Sequence, residues 1–260
     1  MSQIIRIKRK GRYSRDEQYF LGPYDPQGTA PGYKTGHEMI AGLRAGTFLS
    51  AGRHGFQLTD KAWLPQDSLG SIFLILRSLD DFSLEEDTQL SLNRRGFSLA
   101  WITLSDKGAA GQRSDESGPL IEEMAGSAMC LSLSRGFVIP DNPELLRSLL
   151  VHLCLCSCFD LIITTGGTGL APRDITPETT LKVMDRRLPG FELAMLSHSL
   201  TRTPHAGISR AAAGTLGQSM IINLPGSPKG VRENLEAVLP AIEHGLKKLQ
   251  GDQSDCGAKV

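Results

Sequence analysis

Residues 159–169 spell FDLIITTGGTG, an apolar run that ends in three threonines and three glycines. The first part, Phe159 to Thr165, is nearly continuously apolar, which is typical of a strand covered on both faces of a parallel sheet. The glycines that follow fall at Gly166, Gly167 and Gly169, where backbone N–H groups can face a ligand with no Cβ atom in the way. We therefore expect a buried strand that leads into a ligand-binding loop.

Strand-like and helix-like segments alternate on both sides of this run. The other strands are predicted at residues 97–104, 131–139 and 219–224. Helices are predicted to begin at Ser117, at Asp141-Asn142-Pro143, at Thr176-Pro177, at Pro189 and at Ser227-Pro228, since a capping residue followed by proline marks a helix start. Strands that alternate with helices in this way indicate βαβ units, a parallel sheet and an α/β fold.

The composition limits what the protein can be. The 260 residues include 28 basic and 28 acidic side chains, so no global charge draws the chain to nucleic acid or to a membrane surface. There is no apolar run long enough to span a bilayer and no secretory signal at the start, so we expect a cytoplasmic protein. Among the five cysteines no CxxC pair predicts a zinc site; Cys154, Cys156 and Cys158 are best explained as small buried residues, with a metal or redox role as the alternative.

Regular periodicity begins near residue 95. We expect a turn-rich accessory segment with short strands over residues 1–94, an α/β domain over 95–250 and a flexible tail over 251–260. The role of the accessory segment is not indicated by any motif.

The glycine loop fits neither common phosphate-binding template. It has no Gly-Lys-Ser/Thr ending, as a P-loop requires, and Pro172 stands where a dinucleotide-binding turn needs a small residue. Its glycines are explained either by a phosphate cradle or by a tight turn.

Two further segments follow predicted strands and carry polar or glycine-rich sequence, and a separate serine-arginine pair adds polar groups. Residues 223–230, NLPGSPKG, include Ser227, which can cap a helix. The loop either presents the partly positive N-terminus of that helix to a ligand or is merely a well-capped helix start. Residues 105–119 form a long polar loop, either functional or merely a mobile surface connection. Ser209 and Arg210 supply a hydroxyl and a fork of donors suited to an anion, although Arg210 taken alone is more typical of an ordinary surface or ion-paired residue.

Two aspartates stand at predicted strand-to-helix junctions. Asp141 follows the strand at 131–139, and Asp174 follows the glycine loop. Because these junctions meet at one edge of a parallel sheet, the two carboxylates can hold Mg²⁺ together with substrate phosphates. The structural alternative is that each aspartate only caps its helix.

Taken in order, these segments resemble a known family. They are Ser105-Asp106, Asp115-Glu116-Ser117-Gly118-Pro119, Ile139-Pro140-Asp141, Thr164-Thr165-Gly166-Gly167-Thr168-Gly169 with Arg173-Asp174-Ile175-Thr176-Pro177-Glu178, Pro189-Gly190-Phe191-Glu192, Ser209-Arg210, and Asn223-Leu224-Pro225-Gly226-Ser227-Pro228. Over about residues 97–250 the chain resembles the molybdopterin-binding domain family of molybdenum-cofactor biosynthesis, and within it the bacterial molybdopterin adenylyltransferases and the gephyrin G domain.

The resemblance implies a three-layer αβα fold with a mainly parallel sheet, assembled as a homotrimer or hexamer. It implies that AMP passes from ATP to the terminal phosphate of molybdopterin with Mg²⁺ present, and that the product goes to a molybdenum insertase. It makes Asp141 and Asp174 the catalytic and metal-binding residues. The residues that it implies for the nucleotide and the pterin are Ser105, Asp106, Gly166, Gly167, Thr168, Gly169, Ser209, Arg210, Pro225, Gly226, Ser227 and Pro228.

Two alternatives stay open at this point. The first is a relative that binds molybdopterin, or that scaffolds the insertase, without transferring AMP. The second, weaker alternative is a nucleotide-binding protein with another substrate.

Overall fold

The computed structural model describes residues 4–8, 10–23, 32–33, 37–64, 71–85 and 87–253. The chain forms two compact units. The first unit is Met1–Ser98 together with the short segment Cys156–Phe159, and the second is Leu99–Leu155 together with Asp160–Val260. Of the tail expected over residues 251–260, residues 254–260 lie outside the described part of the chain.

The first unit contains a closed barrel of seven strands. Its elements are β1 (Ile4–Ile7), β2 (Gly11–Tyr13), β3 (Gln18–Pro23), β4 (Gly32–Tyr33), α1 (His37–Ala41), β5 (Phe48–Ala51), β6 (His54–Leu64), β7 (Ser71–Ser78), β8 (Phe82–Leu84) and β9 (Thr88–Asn93). The barrel order is β1-β4-β3-β7-β6-β5-β9, closed by antiparallel pairing of β9 with β1, while β2 and β8 pair separately.

Alternating burial builds the barrel core. Along β7 every second residue is buried, as expected of a strand with one face inside. Ile72, Leu74 and Leu76 of β7 share the core with Leu58 of β6 and Leu90 of β9. The sequence predicts short strands here but not their closure, because closure depends on β1 pairing with a strand about eighty positions away.

The second unit is an α/β unit with its own sheet. Its elements are β10 (Phe97–Leu104), α2 (Asp106–Ala109), α3 (Ser117–Ala128), β11 (Leu131–Ile139), α4 (Pro143–Val151), β12 (Leu161–Thr165), α5 (Thr176–Leu181), β13 (Arg186–Arg187), α6 (Pro189–Leu200), β14 (Ala213–Leu216), β15 (Ser219–Leu224) and α7 (Pro228–Leu249). Among the described residues, no helix has both the length and the apolar character that crossing a bilayer requires.

The six-stranded sheet of this unit has the order β11-β10-β12-β15-β14-β13. β12 lies in the middle and pairs in parallel with both β10 and β15, so its carboxyl end is flanked by theirs. All five residues of β12 are buried, which confirms the strand expected to be covered on both faces. β14 and β13 add an antiparallel edge that the sequence did not predict, and the sheet is therefore mixed.

A glycine in α3 tests the packing of the helix against the sheet. Gly118 is buried, and a Cβ atom there would overlap the Trp101 indole. We expect Gly118→Ala to lower the free energy of unfolding of this unit by about 1–3 kcal/mol, the usual cost of overpacking. Urea unfolding followed by circular dichroism at 222 nm measures it. Gly190→Ala in α6 is the matched control, because a Cβ atom there meets nothing within 4 Å; equal effects of the two substitutions would refute the packing argument.

Candidate active site

The carboxyl ends of β10, β12 and β15 bring three loops together. β12 runs parallel to both neighbours, so Leu104, Thr165 and Leu224 end their strands at the same edge of the sheet. Gly166 follows the central strand, and its N–H donates to the Leu224 carbonyl at 3.2 Å. Thr165 Oγ1 donates to the Pro225 carbonyl at 2.7 Å. The glycine loop and the Pro225 loop are thus held against each other.

Gly166 must be glycine for two reasons. Its φ is +96° and that of Gly167 is +63°, both in the region that side chains disfavour. A Cβ atom on Gly166 would also stand 2.5 Å from the Leu104 carbonyl oxygen. A Cβ atom on Gly226 would in turn lie 3.1 Å from the Gly166 Cα atom. These glycines allow the backbones of the loops to approach each other closely.

Two residues that were predicted to cap helices, Thr176 and Ser117, hydrogen-bond to neighbouring loops instead. Thr176 was expected to cap α5, but its hydroxyl donates to the Gly166 carbonyl at 2.9 Å. Ser117 was expected to cap α3, but its hydroxyl donates to the Gly226 carbonyl at 3.0 Å. Asp115 accepts from the Ser117 and Gly118 N–H groups instead, at 3.1 and 3.0 Å. Both hydroxyls are used to fasten helix starts to the loops. The cap expected of Ser227 at α7 is confirmed by the Gly230 N–H, which donates to its hydroxyl. At the predicted helix start 141–143 the cap is Asn142, which accepts from the Leu145 N–H.

A cavity of about 380 Å³, here called the aspartate cavity, opens at this edge. Both aspartates predicted to be catalytic, Asp141 and Asp174, line it. It also receives seven of the predicted ligand-binding residues, namely Ser105, Asp106, Gly166, Gly167, Gly226, Ser227 and Pro228. The fold thus brings together predicted site residues that lie up to 123 positions apart in the sequence, from Ser105 to Pro228.

Asp141 and Asp106 are linked to each other. The Asp141 N–H donates to Asp106 Oδ1 at 3.0 Å, and the Asp106 backbone hydrogen-bonds the Asp141 carboxylate in return. Partial burial raises the pKa of Asp141, and the negative charges of Asp106 and Asp174 raise it further, against the opposing effects of that hydrogen bond and of Arg173. Asn142 caps α4, so the carboxylate of Asp141 is not needed as a cap.

Asp174 is held in a closed turn. Its N–H donates to the Ala171 carbonyl at 2.8 Å, and its Oδ2 accepts from the Ala171 N–H at 2.8 Å. A Cβ atom on Gly169 would stand 2.7 Å from the same Oδ2. The position of the carboxylate is therefore set by the glycine loop and not by the helix that follows.

The donor set suits a hard cation that brings its own phosphate ligands. Among the described residues no three His, Cys, Asp or Glu side chains are grouped as a complete metal site. Mg²⁺ does not need such a cage, because it binds through one or two carboxylates plus waters and substrate phosphates. The negative charge of Asp174 acts on Asp141, and both carboxylate-bearing residues line the same cavity.

Three cationic side chains also line the aspartate cavity: Lys107, Arg113 and Arg173. None of these three is among the ligand-binding residues that the sequence predicts. Lys107 and Arg113 lie in the long polar loop at 105–119, whose alternatives were function or a mobile connection. The feature that could have identified Lys107 and Arg113 as ligand-binding residues is the position of their loop, directly after a strand at the edge of the sheet where ligands bind.

A second cavity of about 670 Å³, here called the helix cavity, lies beside α6 and the start of α7. Four predicted ligand-binding residues line it, Thr168, Gly169, Ser209 and Pro225, and Ser227 lines both cavities. Its wall includes Leu193, Met195, Leu196 and Ile208. Ser209 Oγ is buried there without a hydrogen-bond partner among the described residues, which fits a hydroxyl that awaits a ligand.

Arg210 lines neither cavity. Its Nε donates to the Gly169 carbonyl at 2.9 Å, its Nη2 to the Asp174 carbonyl at 2.7 Å, and its Nη1 pairs with Glu178. The donor fork expected to receive an anion is thus occupied by the protein's own loop.

The raised pKa of Asp141 predicts how stability depends on pH. The pKa of this carboxyl group is higher in the folded state than its ordinary value of 3.8. The folded state therefore loses stability as pH rises above 3.8 and the group is forced to ionise. We expect Asp141→Asn to unfold at a higher temperature than the parent at pH 7, and this gain to shrink toward pH 3.5. Thermal unfolding at both pH values measures it, with Glu123→Gln on the exposed side of α3 as the control. The electrostatic explanation would be contradicted if the unfolding temperature of Asp141→Asn, measured relative to the parent, were lower at pH 7 than at pH 3.5.

Comparisons with known proteins agree on one family. A family model described as "probable molybdopterin binding domain" matches residues 100–244, more than half of the chain. The molybdopterin adenylyltransferase of Helicobacter pylori (strain J99) is 40% identical over 159 residues, which cover 61% of this chain and 90% of the relative. Gephyrin of Dictyostelium discoideum is 42% identical over 154 residues, 56% of this chain but only 21% of the relative.

The solved structures point the same way. The crystal structure of the molybdopterin biosynthesis enzyme MoaB from Thermus thermophilus superposes with a TM-score of 0.55 and is 42% identical. The match covers 60% of this chain and 98% of that one, so it accounts for one unit and not for the whole molecule. The matched sequence, the α/β sheet and the grouped loops lead to one conclusion: this chain belongs to the molybdopterin-binding domain family of molybdenum-cofactor biosynthesis.

Proposed function

We propose that the chain is a molybdopterin adenylyltransferase that transfers AMP from ATP to the terminal phosphate of molybdopterin and releases pyrophosphate. The observation that carries the proposal is the meeting of Asp141 and Asp174 with the glycine loop in one cavity. The 40% identity to the Helicobacter pylori enzyme supports it.

Two anionic substrates must meet in this reaction, so alignment and charge neutralisation are the main tasks of the site. The terminal phosphate of molybdopterin attacks the α-phosphorus of ATP, a new P–O–P bond forms, and the bond to pyrophosphate breaks. Lys107, Arg113 and Arg173 place positive charge along the aspartate cavity, where the phosphates of both substrates would lie. The backbone of the glycine loop would fix their oxygens in line.

Asp141 and Asp174 would hold Mg²⁺ at the same place. When bound, the ion neutralises charge on the phosphate oxygens and stabilises the leaving pyrophosphate. The negative charges that raise the pKa of Asp141 are those that a bound cation would offset. Asp106 holds the backbone of Asp141 and thereby orients it.

The helix cavity would hold a ring system of one substrate. Its apolar wall of Leu193, Leu196 and Ile208 suits a flat ring, and Ser209 Oγ supplies a free hydrogen-bonding group. Ser227 borders both cavities, so a ring in one would adjoin phosphates in the other. The proposal also includes a three-layer arrangement, a domain spanning residues 95–250 and a cytoplasmic location. It further includes assembly as a trimer or hexamer and transfer of the product to a molybdenum insertase.

A pterin-dependent pyrophosphate assay tests the activity. We expect the full-length protein with molybdopterin, ATP and Mg²⁺ to release pyrophosphate, and Asp174→Asn to reduce turnover by about 10²-fold or more, the scale for a lost electrostatic stabiliser. Glu123→Gln, which keeps the same charge change away from both cavities, is expected to retain full turnover.

The same assay distinguishes the alternatives. Tight molybdopterin binding without pyrophosphate release would identify a binding or scaffolding relative. ATP turnover that does not need the pterin would indicate another substrate. Unchanged turnover in Asp174→Asn would remove Asp174 from the mechanism.

A further inference from the structure

The glycine loop is closed on itself by one side chain from a distant segment. Arg210 follows a short 3₁₀ turn, Pro204–Ile208, and lies at least 36 residues beyond the loop residues that it contacts. Its own N–H donates to the Thr168 carbonyl at 3.0 Å, and its Nε donates to the Gly169 carbonyl at 2.9 Å. Its Nη2 reaches the far side of the loop and donates to the Asp174 carbonyl at 2.7 Å.

We propose that Arg210 is a positioning residue that acts through Asp174 and does not bind substrate itself. The inference rests on the proposed adenylyl transfer for its kinetic consequence. Arg210 fixes the backbone of Asp174 while the closed turn with Ala171 fixes its carboxylate. Together the two sets of hydrogen bonds hold the carboxylate of Asp174 in one position at the edge of the aspartate cavity.

Glu178 completes the arrangement from α5. Its carboxylate pairs with Nη1 of Arg210, the one guanidinium nitrogen that the loop carbonyls do not use. The pair sets the plane of the guanidinium, so that the other two nitrogens point at Gly169 and Asp174. Because Arg210 lines neither cavity, a direct role at the substrate phosphates has no geometric support.

Lysine cannot replace this arginine. Three nitrogens of a planar fork point in three fixed directions, whereas an ammonium group is a single donor centre. Arg210→Lys therefore keeps the charge and loses the clamp. A residue that bound phosphate by charge would tolerate this change far better than a clamp would.

The first test is kinetic. We expect Arg210→Lys to lower kcat by about 10- to 100-fold, the scale for a misplaced catalytic group, with little change in KM for ATP. Glu178→Gln should fall in the same direction by less. Arg202→Lys, an exposed arginine on the same segment, is the matched control and should keep parental kcat.

A double-mutant cycle asks whether Arg210 works through Asp174. If it does, Arg210→Lys should add little to the loss already caused by Asp174→Asn. Fully multiplied losses, or a raised KM for ATP with kcat unchanged, would show that Arg210 acts on substrate directly and would overturn the inference.

Hydrogen exchange gives a readout that needs no activity. The Ala171 N–H donates to Asp174 Oδ2, so its protection reports whether the turn stays closed. We expect faster exchange at Ala171 in Arg210→Lys, with parental exchange in Arg202→Lys and in the strand residue Ile163. Parental exchange at Ala171 in Arg210→Lys would refute the clamp. An inactive parent that nevertheless shows this exchange pattern would refute adenylyl transfer and leave the clamp standing.

Discussion

The close approach of three backbones at Gly166 is the constraint on which the rest of the site depends. Its left-handed conformation and its nearness to the Leu104 carbonyl exclude any side chain. Hydrogen bonds from Thr165, Thr176 and Ser117 then fasten the neighbouring loops around it. Because β12 is flanked in parallel by β10 and β15, the three loops meet at one edge of the sheet. Asp174 lies in the loop after β12, whereas Asp141 follows β11 and is hydrogen-bonded to Asp106 of the loop after β10.

The two cavities differ in their lining, although Glu192, Lys229 and Glu233 also line the helix cavity. The aspartate cavity combines acidic residues, three cationic side chains and bare backbone, and it suits phosphates and a divalent cation. The larger helix cavity has a wall of leucine and isoleucine side chains and suits a ring. Under the proposed function, this difference would let two phosphorylated substrates place their phosphates at the border that Ser227 lines on both sides.

The sequence predicted the parts of this structure that local chemistry determines. The apolar run before Gly166 and the cap-and-proline helix starts at Asn142 and Ser227 marked strand and helices whose presence the structure confirms. It failed where a side chain has a choice of distant partners. Thr176 and Ser117 have the residue types of caps, yet their hydroxyls bond carbonyls of loops that only the fold brings near. Local sequence also did not predict the contacts of Arg210, the antiparallel edge of the sheet or the closure of the barrel, because each of them depends on partners that are distant in the chain.

The central claim is that Asp141 and Asp174 share a divalent cation beside the glycine loop, and anomalous diffraction tests it most directly. Crystals grown with Mn²⁺ and a non-hydrolysable ATP analogue would show the cation without reference to turnover. A shared cation would give one anomalous peak within coordination distance of both carboxylates and of a phosphate oxygen. A peak that neither aspartate touches, with the nucleotide bound elsewhere, would contradict it.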